Sequence, residues 1–68
     1  MELVQFRMAR AALSWTQRRV AQSANVSVTS VNDFSAGNSI PPGNIARIRA
    51  ALEEAGIIFV EENGKDRA

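Results

Sequence analysis

Two short segments that begin with the same code constrain this chain more than any other feature. In the first, Trp15 precedes Thr16 and Val20 follows at the staple distance; in the second, Val26 precedes Ser27 and Val31 follows. A hydroxyl residue caps a helix by accepting a bond from an orphan backbone N–H. The apolar pair straddling the cap makes a hydrophobic staple. Neither start carries the Glu or Gln of a full capping box, since Arg19 and Ser30 hold those places. The two helices run over 17–23 and 28–35, and only Ala24, Asn25, Val26 and Ser27 separate them. Isolated helices under roughly a dozen residues are marginal in water, so each must lean on the other and on a shared core. Asn25 suits the break because it tolerates a left-handed backbone, and small Ala21 allows close approach.

The rest of the chain reads as supports for this pair. Residues 2–13 contain no Gly or Pro and place Leu3, Phe6, Ala9 or Arg10, and Leu13 at helical spacing. Helix two turns Val20, Ala21 and Ala24 to one face, and helix three turns Val31 and Phe34 inward. The β-branched Val28, Thr29 and Val31 lower helix propensity, so helix three depends on packing. Gly37 ends it, and GNSIPPG is a turn-rich loop. Pro41 or Pro42 opens a fourth helix, with Ile45, Ile48, Ala51 or Leu52, and Ala55 inward and Gly56 as its stop. The β-branched and aromatic IIFVEE, 57–62, reads as one short strand, and NGKDRA as a loose tail. The division expected is a domain over 1–56 and a strand and tail over 57–68.

At 68 residues the chain is one small domain. It has no cysteine and no histidine, which removes disulfides, thiolate metal sites and the commonest metal ligand. Its serines have no histidine base, and four glutamates near the C-terminal end read as a solvated surface. The expectation is a non-enzyme with no cofactor, no metal and no small-molecule ligand. No apolar run approaches the roughly 20 residues that cross a bilayer, and MELVQFRMAR lacks a signal peptide's apolar stretch, so a cytoplasmic location is expected. Net charge is +1, but its distribution is uneven. Arg7, Arg10, Arg18, Arg19, Arg47 and Arg49 outweigh Glu2 and Asp33 in residues 1–50, whereas residues 51–68 are acidic. That pattern suits a body facing a polyanion, or simply solvated charge. Arg7 and Arg10 share a helix face that could serve either purpose, and Trp15 reads as a staple in the core more than as a base-stacking ring.

Two short helices around a tight turn, the second exposing Val28, Thr29 and Asn32, describe a helix-turn-helix. Val20, Ala24, Val26, Val31 and Phe34 supply the apolar positions, Ala21 the small one and Asn25 the left-handed one. The stretch QFRMARAALSWTQRRVAQSANVS resembles the opening of the lambda-repressor-like, XRE-type family of bacterial and phage regulators, Gln–x–Arg–x–Ala–Arg–Ala–x–Leu–x–Trp–Ser/Thr–Gln. IRAALEEAGIIFVEENG looks like the close of a bacterial subgroup, a last helix followed by a short strand. The resemblance covers residues 5–64. It implies an all-α fold, a compact four- to five-helix lambda-repressor-like bundle with a short C-terminal β-strand. It also implies double-stranded DNA binding, as a homodimer, to control transcription.

Residue by residue, the resemblance assigns Gln17 to a phosphate and to bracing the recognition helix. It places Ser27, Val28, Thr29 and Asn32 at the groove-facing positions. Asn32 can pair with adenine, Thr29 can bond a base edge and Val28 can pack on a thymine methyl. Arg18 and Arg19, with Thr16, face the DNA backbone, and Asn38 and Ser39 follow helix three where they can touch it. Three departures from the family stand out: Asn25 where Gly is usual, Ser35 where Glu is usual, and Val28 or Asp33 where Arg or Lys is frequent. Asp33 beside phosphates is repulsive unless it accepts from a cytosine amino group or pairs with an arginine.

A lone strand leaves unpaired N–H and C=O groups along its edges. Pairing with the same strand of a second copy satisfies them under two-fold symmetry. A homodimer through Ile57, Ile58, Phe59 and Val60, helped by helix four, is therefore expected; the competing arrangement folds the segment over its own helices. The dimer would read a near-palindromic site with two recognition helices about 34 Å apart. The function expected is a repressor reading an inverted repeat, its own promoter included. The competing function is a protein-interaction module, an antitoxin or antirepressor on the same fold.

Overall fold

The computed structural model describes residues 1–60. Among them are four helices and no strand: α1 Leu3–Leu13, α2 Gln17–Ala24, α3 Val28–Ser35 and α4 Pro42–Glu54. Their starts follow the caps read from sequence. Thr16 Oγ1 accepts from Arg19 N–H at 3.0 Å, and Ser27 Oγ accepts from Ser30 N–H at 3.1 Å. Pro42 is the first residue of α4, where a missing N–H costs nothing. At the start of α1, Glu2 N–H donates to Gln5 Oε1 at 2.8 Å.

All four helices end on one device. A residue at positive φ (Ser14, Asn25, Gly37, Gly56) reverses the chain just past each helix. The next residue then donates its N–H five places back: Trp15 to Arg10, Val26 to Ala21, Asn38 to Asp33, Ile57 to Leu52. This is the Schellman arrangement, which satisfies orphan carbonyls and turns an apolar residue back onto the last turn. Trp15, Val26 and Ile57 fill that apolar place and pack against the core. The two staples are thus built from residues that also close the preceding helix.

The core gathers one stripe from each helix: Phe6 and Ala9, Val20, Ala21 and Ala24, Val31 and Phe34, Ile48, Ala51 and Leu52. Phe6 and Phe34 meet edge to face, with centroids 5.2 Å apart and planes at 69°. No polar residue is buried among them. The guanidinium of Arg10 lies 5.9 Å from the centre of the Phe6 ring and donates from Nη1 to Trp15 O at 3.3 Å. No described helix is long and apolar enough to cross a membrane.

The expected strand is not seen. Residues 57–60 carry no regular secondary structure, and 61 and 62 lie outside the described residues, as does the tail. No strand is present among the described residues to pair with it, and the segment is held by side chains instead. Ile57 and Phe59 pack against the core, and Gln5 Nε2 donates to Val60 O at 3.2 Å. Arg49 lies 5.3 Å from the centre of the Phe59 ring and pairs with Glu53 at 3.0 Å. Within the single chain the segment therefore rests on its own helices. Of the four residues expected at a dimer interface, Ile58 and Val60 point outward.

Candidate nucleic-acid interface

Burial of α3 by Val31 and Phe34 decides which of its residues face out. Val31 is fully buried, whereas Val28 keeps 39% of its surface exposed. Thr29, Asn32 and Asp33 are exposed beside it. On a helix, residues four apart stack in a column. Val28 with Asn32 and Thr29 with Asp33 therefore form two adjacent columns on one face. That face offers methyl groups, a hydroxyl, a carboxamide and a carboxylate.

The helix carrying these groups is held at both ends. At its start, Ser27 Oγ accepts from Ser30 N–H and donates to Ser30 Oγ at 3.1 Å. Asn44 Nδ2 of α4 donates to the same Ser30 oxygen at 3.3 Å. At its end, Gln17 Nε2 donates to Ser35 Oγ at 3.0 Å, and an Arg7 Nη donates to Ser35 O at 2.9 Å. Gln17 thus braces α3 from the first turn of α2. Ser35 accepts both bonds, one at its hydroxyl and one at its carbonyl.

The remaining sequence-read residues fall around this face. Thr16, Arg18 and Arg19 are exposed at the start of α2. Arg18 and Val28 border one open hollow together with Gln22 and Asn25, which links the two helices' outer edges. Arg19 lies over the Trp15 ring at 4.7 Å from its centre, a cation–π contact that holds its charge on the first turn of α2. Asn38 and Ser39 are exposed just past α3, at the end that Gln17 braces. The Asn38 N–H is engaged with Asp33 O, so only its side chain is available there. Ser27 is exposed, but its hydroxyl proton is directed into the α3 cap.

Asp33 has no ion pair among the described residues. No group of three His, Cys, Asp or Glu gathers among the described residues to hold a metal. Sequence reading missed Asn44 as a support and left Arg7 open between solvent and phosphate. Asn44 carries no local signal, because its partner Ser30 comes from a different helix. Comparison with protein-family models, with curated proteins and with solved structures found no match.

Proposed function

We propose that this chain is a sequence-specific double-stranded DNA-binding regulator of the lambda-repressor-like kind, cytoplasmic, with α3 in the major groove. One observation carries the reading. A rigidly seated helix presents Val28, Thr29 and Asn32 to solvent while Val31 and Phe34 anchor its other side. The major groove admits a helix and displays a distinct donor, acceptor and methyl pattern for each base pair. Asn32 would pair with adenine, Thr29 would bond a base edge and Val28 would contact a thymine methyl. Gln17, Arg18, Arg19 and Thr16, with Asn38 and Ser39, would hold phosphates and set the register. Such a module represses most simply by occupying its site against polymerase. Two copies would read an inverted repeat with half-sites about one turn apart.

Selection from random genomic fragments at two salt concentrations tests this. A DNA reader yields a recoverable motif and an affinity that falls steeply with salt, because each neutralised phosphate releases counterions. In that motif, Asn32→Ala should cost about 1–3 kcal/mol at one base pair, whereas Arg18→Ala should weaken all sequences alike and lower the salt slope by about 1. The second reading, a protein-interaction module such as an antitoxin or antirepressor, draws on Asp33, which lies in the exposed face with no ion pair among the described residues. A flat salt response with no enriched motif supports it instead.

A further inference from the structure

The exposed face of α3 carries a carboxylate and no cation. Residues 20–46 contain no Lys or Arg, and Asp33 is the one charged residue among them. Two arginines border the face, and each has its own place: Arg18 lines the hollow beside Val28, and Arg7 donates to Ser35 O at 2.9 Å. Guanine is read most often by an Arg or Lys bonded to its O6 and N7 acceptors. This face has no such group, and a carboxylate repels both acceptors. What it complements is a base edge that donates.

Asp33 does not stand alone. Thr29 lies one turn before it in the same column, and both are exposed. Residues four apart on a helix have Cβ atoms about 5–6 Å from each other, so a methyl and a carboxylate are offered side by side, within reach of one base. The bases answer that pair differently in the major groove. Guanine offers acceptors only. Thymine offers a methyl at C5, but beside it the O4 acceptor, which a carboxylate opposes. Adenine offers an amino donor beside the N7 acceptor, which suits the carboxamide of Asn32 and not the carboxylate of Asp33. Cytosine offers an amino donor at N4 beside a bare C5–H. Cytosine methylated at C5 offers donor and methyl together, and so matches both halves of the column.

We infer that Thr29 and Asp33 form a subsite for 5-methylcytosine, so that the chain reads the methylation state of its DNA site as well as its sequence. Asp33 accepts from the N4 amino group, and the Thr29 methyl packs on the C5 methyl, leaving the Thr29 hydroxyl for a neighbouring base edge. The inference rests on the DNA reading proposed above.

Selection with the full chain from two random duplex libraries tests it, one built with ordinary cytosine and one with 5-methylcytosine throughout. The expected motif contains a cytosine at a fixed position. Duplexes carrying a single C5 methyl at that cytosine should bind about three- to fivefold tighter than the unmethylated site, the gain from burying one methyl group. Thr29→Ser keeps the hydroxyl and removes the methyl, so it should bind the methylated and unmethylated sites equally. Asp33→Asn should move the preference at that position from cytosine to adenine. Both residues are exposed, so circular dichroism should show both variants folded. A motif with no cytosine answering to Asp33 overturns the inference. So does a methyl that leaves wild-type affinity unchanged, or a methyl gain that survives Thr29→Ser. In each of those outcomes the DNA reading stands. No motif from either library sinks the DNA reading, and this subsite with it.

Discussion

Ser14 and Asn25 both sit in the left-handed region, at φ 58 and φ 59, yet only the second is a residue type that favours it. A side chain with a Cβ is strained there by roughly 1–2 kcal/mol, glycine is not, and asparagine is eased by local hydrogen bonding. Ser14→Gly should therefore raise stability by about 0.5–1 kcal/mol, read by urea denaturation, after the added freedom of the unfolded chain is set against the relieved strain. Asn25→Ala should lower it by about 1 kcal/mol in the same assay. If Ser14→Gly destabilises instead, the α1 stop is held by something other than backbone strain. Asp33 supports a different kind of prediction. It has no ion pair among the described residues, so with α3 in the groove as proposed a cytosine amino group is the partner that would favour it there. Asp33→Ala should relax preference for one cytosine and strengthen binding to unrelated DNA. Weaker binding to all sequences would contradict that role.

At the scale of elements, α3 has eight residues and three β-branched side chains in its first four positions, so its own propensity does not hold it. Its order comes from bonds at its ends: Ser27, Ser30 and Asn44 at one, and Gln17, Arg7 and Ser35 at the other. The Ser30–Asn44 bond joins α3 to α4 across a long loop. A double-mutant cycle with Ser30→Ala and Asn44→Ala should report a coupling of about 0.5–1.5 kcal/mol in stability. Because the bond also orients the exposed face, the same pair should couple in DNA affinity if that face reads DNA as proposed. Additive effects on both readouts would reduce Asn44 to a bystander.

For the whole molecule, stability is thin. A domain of this length holds about 3–10 kcal/mol against unfolding at the usual 0.05–0.15 kcal/mol per residue. Phe34 joins α3 to α1 through its edge-to-face contact with Phe6. Phe34→Ala should cost about 3–5 kcal/mol and leave much of the chain unfolded at room temperature, seen as loss of helical circular dichroism. A well-folded Phe34→Ala protein would show that the bundle does not depend on that contact. The same thinness explains why Ile57 and Phe59 pack inward: they add apolar cover to a core of only ten buried residues among those described.

Local chemistry made the helices legible in the amino-acid sequence. Hydroxyl caps, stapling pairs, apolar spacing and chain-reversing residues act over a few positions, so α2 and α3 begin at the residues read for them, and Val31 and Phe34 are buried as their spacing required. The left-handed role of Ser14 was not legible, because serine carries no preference for that region. Residues 57–60 misled for a related reason. β-branched and aromatic composition reports a half-buried extended surface, not the partner that buries it. Only the tertiary structure could decide that Gln5 and the helices meet the segment within one chain, and that Asn44 and Arg7 reach the ends of α3. Those contacts join residues far apart in the chain, and their geometry exists only once the core has closed.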